Sequence, residues 1–204
     1  MRAELGSLSD EDLLVRFNDG DAAAFEVLLE RYRRPLFNFV LRSVRQHDRA
    51  EELLQDVFLR VVQRSEDFKG QSKFSTWLYT IARNLCIDHS RKMQFRRHKS
   101  LDAPTRGKEE EGPSLLERVA GRDLGADRET IGKELQEKIA AAIETLPHEQ
   151  REVFLMRQVS CLPFKEIADI VGVPENTVKS RMRYALERLQ EALAEYRDYA
   201  FQLK

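Results

Sequence analysis

Apolar residues recur at three- and four-residue spacing over most of the chain, and the strict alternation of a half-buried strand is nearly absent. That periodicity predicts an all-α protein. It lapses between about residues 96 and 128, where RRHKSLDAPTRGKEEEGPSLLERVAGRDLGADR gathers two of the six prolines, four of the nine glycines and the acidic run Glu109 to Glu111. Only a short apolar cluster, Leu115, Leu116 and Val119, interrupts that run of polar positions. Such a composition buries too little surface to offset the entropy of ordering, so residues 96–128 read as a flexible linker between two helical domains, 1–95 and 129–204.

In the first domain, LSDEDLL carries a helix start at Ser9, followed by Glu11 and Asp12, and Asp19-Gly20-Asp21 carries another. A long helix is expected from about Ala22 to Leu41, broken or bent near Pro35 because proline lacks the donor a helix interior needs. From Arg49 to Gln63, the residues Leu53, Leu54, Val57, Phe58, Val61 and Val62 project onto one side of a helix, within an arc of about 180°. Leu59 falls outside that arc, among Glu52, Gln55, Asp56 and Gln63. An apolar residue ringed by polar groups is how a helix that docks on another protein looks. A single exposed leucine with no partner is also common.

After the turn signal Phe68-Lys69-Gly70, the string FSTWLYTIARNLCIDHSRK predicts a further helix with Phe74, Trp77, Leu78, Ile81, Ala82 and Leu85 as its core stripe. Beside the Trp77 edge of that stripe lie Asn84 and Arg91, so Phe68, Trp77, Arg83, Asn84, Arg91 and Lys92 share a neighbourhood. Aromatic faces stack single-stranded bases at about 1 to 3 kcal/mol each while Lys and Arg follow the phosphates. Trp77 has the alternative role of plain core packing, which is the usual fate of one tryptophan on a helix.

The second domain holds LPFKEIADIVGVPENTVKSRMRYALERLQEAL, which predicts a short helix from about Pro163 to Val171, a turn at Gly172, and a second helix starting near Pro174. Small Ala168 permits close approach and Val178 packs back between the two, giving a helix-turn-helix. Val178, Met182, Ala185, Leu186 and Leu189 take one side of the second helix. Asn176, Lys179, Ser180, Arg183 and Tyr184 take the other, with Arg181 at the margin. In this motif the early residues enter the major groove, where Arg and Lys bond guanine and Asn bonds adenine. The competing reading is a solvated basic face.

Composition refines this picture. With 34 Lys+Arg against 35 Asp+Glu the net charge is -1, so a diffuse polyanion coat is excluded. Locally, Arg83 to Lys99 has six basic residues against one acid, and Asn176 to Tyr184 three against none. Two small basic patches in a neutral chain suit two aimed nucleic-acid contacts. Cys86 and Cys161 are the only cysteines of the 204 residues, far apart in a chain that needs no covalent staple, and are expected to be reduced thiols in an intracellular protein. No stretch reaches the ~18 to 20 apolar residues of a membrane span, and Met1 to Asp12 lacks a signal-peptide pattern, so neither membrane insertion nor secretion is expected.

Three strings, AEELLQDVFLRVV, FKGQSKFSTWLYTIARNLCID and LPHEQREVFLMRQVSCLPFKEIADIVGVPENTVKSRMRYALERL, follow one another with the linker before the third. In these the chain resembles, over nearly its whole length, the extracytoplasmic-function (group 4) branch of the bacterial sigma-70 family of RNA polymerase sigma factors. That branch keeps the second and fourth domains of larger sigma proteins. The resemblance implies that 1–95 is sigma domain 2, a three- or four-helix bundle for core binding and for minus 10 recognition and melting, and that 129–204 is sigma domain 4, reading minus 35. It assigns Glu52, Gln55, Asp56, Leu59 and Gln63 to the clamp helices of the polymerase β′ subunit, with β as a further partner. Phe68, Lys69 and Asn84 match a pocket for a flipped non-template minus 10 base, with Trp77 beside it. Asn176, Lys179, Ser180, Arg181, Arg183 and Tyr184 match the minus 35 reader. A bacterial cytoplasmic address, no catalysis, no cofactor or metal, and an anti-sigma factor covering the same surfaces are implied as well.

Extruding a base costs a few kcal/mol, which stacking and pocket hydrogen bonds can offset, so melting needs no nucleotide hydrolysis by this chain. Accordingly, the sequence holds no P-loop glycine-lysine string. A linker of roughly 35 residues extends to at most ~115 Å but as a free coil spans about 33 Å. Promoter elements two helical turns apart are separated by ~70 Å, so a third body, the polymerase core, is expected to hold the domains apart.

Two other functions fit parts of the chain. A helix-turn-helix repressor or activator acting without polymerase would leave Leu59 and the Trp77 to Asn84 cluster without purpose. An enzyme or metal protein would rest on Cys86, His89 and His98, whose single C-x-x-H spacing is poor for zinc.

Overall fold

The computed structural model describes residues 2–100 and 138–194. The helices are α1 (Arg2–Gly6), α2 (Asp10–Asn18), α3 (Ala22–Val44), α4 (His47–Gln63), α5 (Phe74–Ser100), α6 (138–145), α7 (His148–Gln158), α8 (Phe164–Val171) and α9 (Glu175–Ala192). A 3-10 turn, Ser65–Asp67, follows α4, and no strand occurs among the described residues. Most of the expected linker lies outside the described residues. Its first residues, 96–100, are the last turn of α5, which runs on past residue 95.

Local signals place the early helices. The Ser9 hydroxyl accepts from the Asp12 backbone N–H at 3.1 Å and opens α2. Asp21 accepts from the Ala23 N–H at 3.1 Å and opens α3. Each satisfies a donor with no intrahelical partner, an effect typically worth about 1 kcal/mol. The start of α5 is capped from a distance instead, because the Phe74 N–H donates to Glu11 Oε1 of α2 at 2.7 Å.

Proline does not break α3. The helix runs unbroken from Ala22 to Val44 with Pro35 inside it. A lost backbone bond and ring crowding cost about 3 kcal/mol. Against that stand buried residues on both sides of the proline, Val27 and Leu28 before it and Leu36, Phe39 and Val40 after it. At roughly 1.5 to 3 kcal/mol for each large side chain taken out of water, packing outweighs the local penalty.

α2 to α5 close around Leu13, Leu14, Leu28, Leu36, Phe39, Val57, Leu78 and Tyr79, all at most 1 % exposed. α7 to α9 close around Val153, Leu155, Met156, Ile167, Val178 and Ala185. Gly172 ends α8 at φ 76°, a left-handed conformation that glycine adopts without strain, and the chain then reverses into α9. Ala168 and Val178 are buried at that crossing. Pro163 and Pro174 each sit one residue before a helix, as N-caps. The two groups of helices pack against one another, α8 on α5 and α7 on α3. No helix among the described residues is long and apolar enough to cross a membrane.

Candidate nucleic-acid interface

Three surfaces carry the residues singled out above. On α4, Glu52, Gln55, Asp56, Leu59 and Gln63 are exposed on one side, with Leu59 57 % accessible at its centre. Val62, expected in the buried stripe, is 41 % exposed beside Leu59. It sits at the edge of the buried face and so enlarges the apolar centre of the exposed one. Glu52 is ion-paired with Arg49 one turn earlier. Beside Gln55, between α3 and α4, lies an open groove lined by Arg33, Arg34, Phe37, His47 and Phe58. His47 stands T-shaped to Phe37, with ring centroids 5.4 Å apart, and is still about half exposed.

At the start of α5, Phe68, Phe74 and Trp77 form one aromatic cluster, with centroid distances of 5.3 Å (Phe68 to Trp77), 6.0 Å (Phe74 to Trp77) and 6.3 Å (Phe68 to Phe74). Phe74 is buried, whereas Phe68 and Trp77 are half-buried. Gly70, at φ 67°, turns the loop that carries Phe68 and Lys69. The Lys69 ammonium donates to the Glu66 carbonyl at 3.2 Å. Trp77, Asn84 and Arg91 are spaced seven apart, two helical turns each, so they line one stripe with Asn84, Arg91 and Lys92 exposed.

Arg83 is held differently from the other cations. Its guanidinium forks onto the Glu152 carboxylate of α7, Nε to Oε2 at 2.8 Å and Nη2 to Oε1 at 3.3 Å. Ten positions earlier, the Lys73 ammonium meets Glu166 Oε1 of α8 at 2.7 Å, and the Ser75 hydroxyl donates to Glu166 Oε2 at 2.8 Å. That contact holds the Lys73 ammonium above its ordinary range. Both acids are buried, Glu152 at 6 % and Glu166 at 7 % exposure. Nothing in the local sequence marks them, because an acid beside a basic residue on a helix looks solvated until its distant partner is known.

On α9 the side chains of Asn176, Lys179, Ser180, Arg183 and Tyr184 are exposed. Lys179 pairs with Glu175 at 2.7 Å, Arg183 approaches Glu187 at 3.8 Å, and the Arg183 guanidinium lies 4.9 Å over the Tyr184 ring. The Ser180 hydroxyl donates to the Asn176 carbonyl at 2.9 Å. Arg181 turns away from this face. Its side chain is 18 % exposed and pairs with Glu149 of α7 at 2.7 Å, fixing α9 against α7.

Two family models and several known proteins match the chain. The family model "Sigma-70 region 2" matches residues 28–96 and "Sigma-70, region 4" matches residues 136–189. The chain is 32% identical over 184 residues to the ECF RNA polymerase sigma-E factor of Escherichia coli (strain K12), covering 89% of this chain and 93% of that one. It is 30% identical over 174 residues to the ECF RNA polymerase sigma factor SigW of Bacillus subtilis (strain 168), covering 85% and 91%. Among solved structures, the sigma factor RpoE in complex with the anti-sigma factor NepR from Bartonella quintana matches with a TM-score of 0.62 at 26% identity, covering 83% of this chain and 96% of that one. Matches over both regions and nearly the full length of these relatives show that the chain belongs to the extracytoplasmic-function branch of the sigma-70 family.

Proposed function

We propose that this sigma factor, which as a member of its family binds RNA polymerase and directs initiation at promoters, divides that task among the three surfaces described above. The α4 face centred on Leu59 and Val62, with Glu52, Gln55, Asp56 and Gln63 around it, takes the β′ clamp helices, and β is a further contact. Phe68, Trp77 and Asn84 receive an unpaired base of the non-template minus 10 strand, with Lys69, Arg83, Arg91 and Lys92 following its backbone. Asn176, Lys179, Ser180, Arg183 and Tyr184 read the minus 35 duplex, while Arg181 steadies the reading helix.

The observation that carries this reading is the open edge of the aromatic cluster. Two half-buried rings, Phe68 and Trp77, lie 5.3 Å apart, and Trp77 shares its stripe of α5 with the exposed Asn84 side chain. Stacking on such rings is worth about 1 to 3 kcal/mol per base, which matches the few kcal/mol needed to extrude one. The protein therefore acts by binding and capture, with no chemistry of its own, in the bacterial cytoplasm. An anti-sigma factor is its expected regulator, as NepR is bound to RpoE in the similar structure.

Asn84→Ala tests the capture step. With polymerase core and a duplex promoter, the variant should lower open-complex formation about tenfold or more, on the scale of one lost pocket contact. On a template already mismatched at minus 10, activity should return. Equal defects on both templates would remove base capture from the mechanism.

A further inference from the structure

Two buried carboxylates of the second domain are seated on two cations of the first. Glu152 takes the fork of Arg83, and Glu166 takes Lys73 together with the Ser75 hydroxyl. A carboxylate and a phosphodiester each carry one negative charge on two oxygens, and a guanidinium grips either by the same paired bonds. We propose that Lys73 and Arg83 form a phosphodiester-binding site on α5, and that the second domain keeps this site closed by seating Glu152 and Glu166 in it. The inference rests on the reading of α5 as the strand-facing helix of this sigma factor.

Position supports a strand of nucleic acid as the occupant. Lys73, the residue before α5, and Arg83 on it are ten positions apart, ~15 Å along the helix axis, with Trp77 between them in the chain and Phe68 five residues before Lys73. A short single strand laid along α5 would meet stacking surface and phosphate-binding cations in one pass, then reach Arg91 and Lys92. The seam between the domains combines apolar packing, continuous with both buried cores, with specific polar contacts, including Arg45 Nη2 donating to the Glu144 carbonyl at 2.9 Å. Relative motion of domains within a chain is the ordinary expectation unless their interface is large and hydrophobic. A buried carboxylate without its partner cation favours separation, so each pair is needed for closure.

The closed and strand-bound forms thus compete for the same cations, and weakening closure raises apparent affinity by raising the fraction of open chain. The test uses the full chain and a fluorescent twelve-nucleotide oligo(dT), with compactness followed as the radius of gyration in solution scattering. Replacing both Glu152→Gln and Glu166→Gln should enlarge the radius and tighten oligo(dT) binding about tenfold. Arg83→Ala should also enlarge the radius, by stranding Glu152, but should weaken binding. The charge exchange Arg83→Glu with Glu152→Arg should restore compactness without restoring affinity.

An unchanged radius in the double variant would show that these carboxylates do not hold the seam. A larger radius with unchanged affinity would show that the cations are not a phosphate site. An equal gain for polyglutamate of matched charge would assign them to acidic protein instead, and each of these results overturns the proposal. Polymerase takes no part in these measurements, so their failure would remove Arg83 alone from the strand-following residues and leave the division of labour among the three surfaces standing, and a failed Asn84→Ala rescue leaves this seam standing.

Discussion

Cys86 and Cys161 show how far a single residue's chemistry depends on where the fold puts it. Both thiols are free, as their spacing suggested. Cys86 is 6 % exposed on α5, and burial pushes its thiol up to about 12. Burial likewise pushes the Tyr79 phenol up to about 12. Both groups are therefore held protonated in the folded chain, so their contribution is complete below about pH 8.5, the ordinary thiol value, and is lost as pH rises toward about 12. Thermal melts from pH 8 to 11 should show a falling midpoint, and Cys86→Ala should flatten that fall. At pH 8 a maleimide should modify exposed Cys161 and spare Cys86 until the protein unfolds. The buried acids were not legible at this scale. Glu152 and Glu166 lie 69 and 91 positions from their partners Arg83 and Ser75, and no window of local sequence contains both members of a pair.

Among the elements, what could be read from sequence was whatever is decided within a few residues. Ser9, Asp21 and Gly172 terminate helices through bonds or dihedrals local to themselves, and each stands where the sequence placed it. No break occurs at Pro35, because its local penalty competes with long-range burial on both sides. Val62 was misjudged because an apolar arc of six residues is wider than the strip α4 buries. The cap of α5 was invisible for a related reason, since Glu11 reaches it from 63 positions away. Glu11→Ala should destabilise the first domain by about 1 kcal/mol, as loss of a cap does. Chemical denaturation would measure that loss, and hydrogen exchange should quicken at the first turn of α5 with the second domain unaffected.

For the molecule as a whole, the all-helical class and the order of the two sigma regions followed from periodicity and composition, and the three motif strings carried the family. The packing of one domain on the other did not follow, because it rests on a few side chains with no repeat to reveal them. Separate surfaces imply separable defects. Leu59→Asp should reduce polymerase affinity roughly tenfold or more, as loss of an interface anchor does, while leaving duplex preference intact. Arg183→Ala should keep polymerase binding and forfeit about 1 to 3 kcal/mol of discrimination at one minus 35 base pair. Binding assays with core alone and initiation assays on substituted promoters distinguish the two, and an identical defect in both variants would contradict the division.

Helix α5 also sets how far a motion of the first domain carries. Its 27 residues from Phe74 to Ser100 form a rod of ~40 Å, with the aromatic cluster at one end. Ser100 therefore stands tens of ångströms from the stacking rings, so a rotation of the first domain about those rings displaces that far end the most.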